Sequence, residues 1–121
     1  HFALKMQNGL SSTRNMYAYR DSSLSTFNAI TASLTSTTDY YYIACKRQGD
    51  NLELFVNGES KGTKSGWGEI SIENNSYTTV IGNHGGEYNG GFIPVMKLHG
   101  LSLSDDKIKE NYKSYKNRFN L

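Results

Sequence analysis

The chain has 121 residues, of which 36% are hydrophobic, 20% are charged and 12% are aromatic, and its formal net charge is +2. This length fits one domain, residues 1–121, and the aromatic content argues against intrinsic disorder. No apolar run is long enough for a transmembrane helix, and the charge is too small to indicate nucleic-acid binding. Twelve Gly and a single Pro favour a turn-rich β-protein.

The N-terminal third predicts short strands. Residues 2–7 alternate weakly between apolar and polar side chains. The pair Asn8-Gly9 then favours a tight hairpin turn, because both residues tolerate positive φ. Residues 16–20 are the expected return strand. The stretch 21–39 is rich in Ser and Thr and predicts one or two further strands with polar loops.

The middle of the chain carries the clearest pattern. Residues 40–47 are rich in β-formers, and Gly49-Asp50-Asn51 is a turn signal. Residues 52–56 alternate, so that three apolar side chains fall on one face, and a second turn signal, Asn57-Gly58, closes the strand. Together these segments predict a β-hairpin.

The next part of the chain predicts loops and further strands. Residues 61–68 form a loop rich in Gly, Lys and Ser that holds Trp67, and residues 82–91 form a long loop in which five of ten residues are Gly. Such a glycine content opens backbone conformations that other residues avoid. The strands predicted in this part are 69–72, 77–81 and 92–103, the last of them bent at Pro94.

One helix is predicted, and it lies at the C-terminus. Ser104 is a typical N-cap, and the acids that follow it, Asp105 and Asp106, suit the positive end of the helix dipole. An apolar stripe then recurs at spacings of four, three and four residues, which is the period of an amphipathic helix. The stripe consists of Ile108, Tyr112, Tyr115 and Phe119.

Several of these segments resemble one known family. Leu52–Gly58 resembles the hairpin strand "L-x-L-Y-V-x-G" of laminin G-like domains, which belong to the concanavalin A-like lectin/glucanase superfamily. Residues 42–45, 80–82 and 91–108 are similar to further pieces of that pattern, in the same order. The resemblance implies an all-β fold: a jelly-roll β-sandwich of two antiparallel sheets with one short C-terminal helix.

The resemblance leaves the N-terminal strands open. Members of the family carry more strands before the hairpin than residues 1–39 can supply. Either the sandwich is trimmed, or its missing strands come from another region or another chain. An incomplete sandwich exposes sheet edges that pair readily, so we expect association with something larger.

The resemblance does not extend to catalysis. Glucanases of this fold use carboxylates spaced along one strand so that they share a face, and a retaining pair lies about 5–5.5 Å apart. The sequence lacks a Glu-x-Asp-x-x-Glu pattern. We therefore predict a protein that is not an enzyme. Cys45 lies in a predicted strand and is expected to be a small buried residue rather than a nucleophile.

Sugar binding is the favoured chemistry. It needs flat aromatic rings beside amide and hydroxyl groups, and the two predicted loops offer both. The alternative is that the tryptophan packs on the sandwich and the Gly-rich loop is only a connection. The predicted ligand-binding residues are Trp67, Asn83, His84, Tyr88 and Asn89.

Calcium and protein partners are two further hypotheses. Laminin G-like domains often hold calcium at a loop rim, and oxygen ligands suit that ion. The calcium candidates are Asp50, Asn83, Glu87 and Asn89, although turn residues have the same composition. The run of Tyr40, Tyr41 and Tyr42 is a candidate interface, because Tyr is enriched at interfaces, but it also suits a covered sheet face.

The functional hypothesis is a non-catalytic binding module that recognises glycans or another surface as part of a larger secreted, cell-surface or phage virion protein. Its expected location is extracellular, on a cell surface or in a virion, with no nucleic acid as partner and no insertion into a membrane. The alternative is a structural domain of a virion, in the capsid decoration or the tail, that binds other protein chains. A glucanase is the third and most distant reading.

Overall fold

In the computed structural model, the described residues form two three-stranded antiparallel sheets, a short hairpin of two two-residue strands, and one helix. The described residues are 2–8, 14–20, 28–34, 39–65, 83–84, 87–88 and 93–121. The prediction of antiparallel strands followed by one late helix is confirmed. The strands predicted at 69–72 and 77–81 lie outside the described residues.

The first sheet is built from the N-terminal third of the chain. Its strands are β1 (Phe2–Asn8), β2 (Arg14–Arg20) and β3 (Asn28–Leu34), paired in that order. The hairpin of β1 and β2 is confirmed, but the tight turn predicted at Asn8-Gly9 is wrong. Asn8 pairs with Arg14 inside the ladder, so residues 9–13 connect the strands.

The second sheet contains the hairpin that the sequence predicts. Its strands are β4 (Ile43–Gln48), β5 (Asn51–Val56) and β6 (Glu59–Lys64). The first turn lies at residues 49–50, where Gly49 has a φ of 57°. The second lies at Asn57 and Gly58, whose φ values of 51° and 77° are those that a two-residue turn requires.

Strand β6 corrects the loop predicted at 61–68. The register between β5 and β6 shifts, so that Gly62 faces Leu54 while Ser60 faces Phe55, and Lys61 is the extra residue of a β-bulge. Gly62 has a φ of 146°, which favours glycine. The strand escapes pattern analysis because glycine occupies a position that faces the core and its other residues are polar.

The core lies between β3 and β5. On β3 the buried residues alternate with exposed ones, as expected for a strand with one covered face. Tyr41, Ile43 and Cys45 pack at the margin of this core. Its buried members are Ile30, Ala32, Leu34, Leu52, Leu54 and Val56. Each large side chain of this group stabilises the fold by roughly 1.5–3 kcal/mol through burial.

The helix α1 (Asp105–Phe119) forms as the sequence predicts. The Ser104 hydroxyl accepts a hydrogen bond from the backbone N–H of Lys107 at 3.2 Å, which satisfies one of the unpaired donors of the first turn. The helix ends at Asn120, whose φ of 52° is left-handed. The backbone N–H of Leu121 then donates to the Lys116 carbonyl at 3.1 Å.

The helix lies against the face of the second sheet that points away from the core. Ile108 is buried but does not belong to the core between the sheets. Tyr112 lies over the β5–β6 turn, where a Cβ added to Gly58 would lie 2.9 Å from its Cδ1 atom. The second sheet therefore has the core on one face and the helix on the other.

Two predictions between the second sheet and the helix need correction. The loop predicted at 82–91 contains a short hairpin, in which β7 (Asn83–His84) pairs with β8 (Glu87–Tyr88). The strand predicted at 92–103 is wrong, since residues 93–103 have no regular secondary structure. A strand exists only through its ladder, and none of the described strands pairs with this segment.

Candidate functional site

The outer face of the second sheet holds a row of polar side chains. Side chains alternate between the two faces along β4 and β5. The core residues point inward, and the residues between them point outward. Lys46 on β4 is paired with Glu53 on β5, which is paired in turn with Thr63 on β6. Gln48 and Asn51 form the next pair on the same face, two residues closer to the first turn. These five side chains therefore share one face of three neighbouring strands.

These residues line an open groove, which we call the outer groove. Its lining consists of Lys46, Gln48, Asn51, Glu53 and Thr63. The helix begins beside it, because the first helical residue, Asp105, binds the Lys46 ammonium. The outer groove thus occupies the part of the sheet face beside the start of the helix.

Lys46 is the centre of the charged interactions. Its side chain is only 14% exposed, and its Nζ atom lies 3.0 Å from Glu53 Oε2 and also binds Asp105 Oδ1. The same atom lies 5.3 Å from the centre of the Phe55 ring, within cation–π range. The hydrogen bond to Asp105 is the main reason why the pKa of Lys46 is raised, with Glu53 adding to it. Lys46 therefore stays charged and joins the helix to the sheet.

Glu53 is held on two sides. Its Oε2 atom faces Lys46, and its Oε1 atom accepts a hydrogen bond of 2.5 Å from the Ser60 hydroxyl. Both oxygens are thereby fixed in position. The remaining polar groups of the outer groove are two carboxamides and a hydroxyl, from Gln48, Asn51 and Thr63. Such groups both donate and accept hydrogen bonds and carry no charge.

An aromatic cluster lies at the other end of the helix. The Tyr42 ring stacks on Tyr115 with centroids 6.4 Å apart, and Tyr40 lies 5.9 Å from Phe119. Tyr42 is also anchored through its backbone, because its N–H donates to Asn57 Oδ1 at 2.9 Å. Burial raises the pKa of the Tyr42 hydroxyl. Tyr40 remains 43% exposed, so the cluster presents one ring to the surface.

The family follows from a match along most of the chain. A laminin G family model of the concanavalin A-like lectin/glucanases superfamily matches residues 2–109. The chain belongs to this superfamily. The resemblance described from segments between residues 42 and 108 is therefore confirmed, and the match extends to the N-terminal strands. Members of the superfamily are β-sandwiches, and they include both lectins and glucanases.

A solved structure supports the same fold for this superfamily member. The chain is similar to the crystal structure of an S-layer domain-containing protein (residues 221–444) from Clostridium thermocellum, with a TM-score of 0.58 and 19% sequence identity. The match covers 90% of this chain and 55% of the other, so the chain spans about half the length of that structure. No curated protein sequence matches this chain.

The short hairpin brings together four of the residues predicted for the ligand and calcium sites. The register places Asn83 opposite Tyr88 and His84 opposite Glu87. The predicted residues Trp67 and Asn89 lie outside the described part of the chain. The sugar site predicted from the loops therefore stays a prediction, with its hairpin residues gathered within two adjacent pairs.

The described residues include three of the four calcium candidates and all three tyrosines of the predicted interface. Asp50 is exposed in the β4–β5 turn. It is far in sequence from β7 and β8, which carry the candidates Asn83 and Glu87. Within the described residues, no group of three or more His, Cys, Asp and Glu side chains is arranged to hold a metal ion. The tyrosines predicted as an interface precede β4 instead of lying within it. Tyr41 contacts the core, while Tyr40 and Tyr42 contact the helix.

Two further expectations concern Cys45 and the membrane. Cys45 is half-buried against the core, and burial raises the pKa of its thiol to about 12. The thiol therefore stays protonated near neutral pH, which does not suit a nucleophile. In the described ranges, no helix has the length and apolar character needed to cross a bilayer.

Sequence analysis did not identify the outer groove. Its residues lie on the strands of the predicted hairpin, where the same alternation that marks the core face also marks the opposite face. The signal that was available is the pairing of Lys46 with Glu53 and of Gln48 with Asn51, which follows from the hairpin register. The contribution of β6 was hidden by its bulge.

Proposed function

We propose that this chain is a non-catalytic glycan-binding module of a larger surface protein. The observation that carries the proposal is the outer groove, in which amide, hydroxyl and charged groups from three strands face one open surface. Glycans present many hydroxyls, and carboxamides match them because each can donate and accept. A site on strands is also held more rigidly than one on loops.

Two comparisons support this proposal. The superfamily to which the chain belongs includes lectins, and the similar solved structure is that of an S-layer domain-containing protein. Both agree with a module that acts outside the cell, at its surface. We further propose that the two sheets form the jelly-roll sandwich of the superfamily, with helix α1 covering the outer face of the second sheet.

The proposed role does not use catalysis. The groove carboxylate, Glu53, and the neighbouring Asp105 both bind the ammonium of Lys46. Asp105 therefore holds the helix against the sheet, and Glu53 fixes the position of the lysine that it binds. A glycosidase needs two carboxyl groups that flank the scissile bond, one of them able to donate a proton.

A glycan array followed by calorimetry tests the proposal. We expect millimolar or tighter binding of at least one glycan, and loss of that binding in the double variant Gln48→Ala/Asn51→Ala. The control is Asn117→Ala, which changes an exposed amide on the helix outside the outer groove. Trp67→Ala and Tyr88→Ala test the alternative location in the predicted loops. The absence of binding by any glycan, with or without calcium, would contradict the proposal.

A second candidate function is assembly with other protein chains, in a virion or a surface layer. The segment 93–101 favours it, because its apolar side chains are exposed. The exposed residues are Ile93, Val95, Met96, Leu98 and Leu101. Leu98 and Leu101 are 80% and 85% exposed, and contiguous apolar surface is typical of interaction sites.

Size-exclusion chromatography with light scattering tests the second candidate. Assembly through this segment predicts a species larger than the monomer at high protein concentration. The double variant Leu98→Ser/Leu101→Ser should then return the chain to a monomer. A wild-type chain that stays monomeric at all concentrations would contradict self-assembly.

A further inference from the structure

We propose that the outer groove selects neutral glycans over acidic ones. This inference rests on the proposed glycan-binding function and adds the class of ligand. It follows from how the charges at the groove are arranged. The lysine of the groove is already neutralised, and the other groups available for binding are uncharged.

The first step concerns Lys46, the cation of the groove lining. Its ammonium is shared by Glu53 and Asp105 and lies over the Phe55 ring. One positive and two negative charges leave this group with a net charge of −1. A carboxylate or sulfate brought to the groove would therefore meet a small net repulsion. Like charges at contact distance repel more strongly near a protein surface than in water.

The second step concerns the competition for donors. Sites that bind acidic groups use Arg or Lys side chains that are able to pair with the incoming anion. An acidic sugar that used Lys46 would have to compete with Glu53 and Asp105 for its ammonium, and Asp105 is the first residue of helix α1. Binding of an anion would thus weaken the contact between helix and sheet, because the same ammonium would be shared among three anions. A neutral sugar makes no such demand.

The third step concerns the groups that remain. The carboxamides of Gln48 and Asn51 and the hydroxyl of Thr63 come from three different strands but share one face. Their spacing is set by the sheet, in which neighbouring strands lie about 4.8 Å apart. Hydroxyls on adjacent carbons of a sugar ring can each meet one of these groups. The hydrogen bonds are neutral, so their strength depends little on salt.

The experiment compares a neutral and an acidic polysaccharide of matched length. The ligands are a linear neutral glucan and polygalacturonate, each at low and at high salt. Affinity electrophoresis or calorimetry measures the ratio of the two affinities. We expect the neutral polymer to bind at least about tenfold more tightly, equivalent to about 1.4 kcal/mol, with little effect of salt. Preferential binding of polygalacturonate would overturn the inference while leaving glycan binding in place.

Two variants test the cause. In Glu53→Gln/Asp105→Asn the ammonium of Lys46 loses both counter-ions, and binding of polygalacturonate should increase. Gln48→Lys adds a cation to the groove without altering the contact with the helix, and it should act in the same direction even if the double variant fails to fold. No gain of acidic binding in folded Gln48→Lys would overturn the inference.

The outcomes separate this inference from the proposed function. If neither polymer nor any arrayed glycan binds, the proposed function fails. If neutral glycans bind but the affinity is lost in Trp67→Ala and unchanged in Gln48→Ala/Asn51→Ala, glycan binding survives and the outer groove is not its site. The present inference then fails alone.

Discussion

The two faces of the second sheet carry opposite chemistry on the same strands. On the inner face, Leu52, Leu54 and Val56 are buried against β3. On the outer face, Phe55 is buried near the helix, but the pair Lys46 and Glu53 begins a polar surface that extends to the first turn. A shift of a single residue in the register would exchange the two faces. The inner face therefore fixes which polar residues reach the groove.

This comparison separates stability from function by residue position. Substitutions on the inner face should change the free energy of unfolding, and substitutions of the uncharged groove residues Gln48, Asn51 and Thr63 should change binding alone. Between them lie the residues that fasten the helix to the sheet. These should have intermediate effects, because they contribute to folding and also border the groove.

The largest expected effect is that of Leu54→Ala on the inner face. Leu54 is fully buried in the core, so its truncation should lower the free energy of unfolding by about 2–5 kcal/mol. Urea denaturation measures the loss. The matched variant on the same strand is Asn51→Ala, an exposed residue of the outer groove, for which we expect a change within about 0.5 kcal/mol. Equal losses would contradict the division between the faces.

The next effect concerns the turn beneath the helix. Gly58→Ala should cost about 1–3 kcal/mol, because the residue has a positive φ of 77° and its new methyl group would meet Tyr112. Gly49→Ala is the control, since Gly49 also has a positive φ, of 57°, but has no neighbour within 4 Å of an added Cβ. Its smaller loss gives the cost of the backbone alone. The difference between the two stability losses measures the cost of contact with the helix. A difference of zero would argue against that contact.

A smaller effect is expected for the ion pairs that join helix and sheet. Lys46→Met should lower stability by roughly 1 kcal/mol at low salt, and by less at high salt. Lys61→Met is the control, because Lys61 pairs with Glu59 at 2.9 Å on an exposed strand and should leave stability unchanged within error. Thermal unfolding at two salt concentrations measures both. A loss for Lys61→Met as large as that for Lys46→Met would contradict a special role for Lys46.

The last expected effect depends on pH and is a loss of stability in mildly alkaline solution. Burial raises the pKa of the Cys45 thiol to about 12, whereas the thiol of the unfolded chain ionises near its ordinary value of about 8.5. The contribution is complete below the unfolded pKa and is lost as the pH rises toward the folded one. Between about pH 8 and pH 10, unfolding midpoints should fall less steeply for Cys45→Ala than for the wild type. Parallel slopes would show that the thiol is not protected.

The sequence allowed the inner face and the helix to be predicted, because both depend on local patterns. The alternation of Leu52, Leu54 and Val56 needs only the strand period, and the cap at Ser104 needs only a hydroxyl before two acids. Turn glycines at 49 and 58 were evident for the same reason. Each of these features is specified by residues close together in the chain.

The features that escaped prediction depend on partners distant in sequence. The segment 93–103 has a strand-like composition, but composition cannot supply the neighbour that a strand requires. Strand β6 shows the opposite case, since its polar residues form a ladder with β5 despite a weak pattern. The outer groove arises only when Thr63 is brought beside Glu53. Pairing across strands, rather than residue type, creates the site.

The bulge at Lys61 has a consequence for crowding. Among the described strands, β6 has one ladder partner, β5, and edge strands are where a strand from a neighbouring molecule could add. The bulge breaks the straight run of this edge, and Lys61 places on it a charge that is paired with Glu59 at 2.9 Å. Many copies held side by side would then resist merging into a continuous fibre.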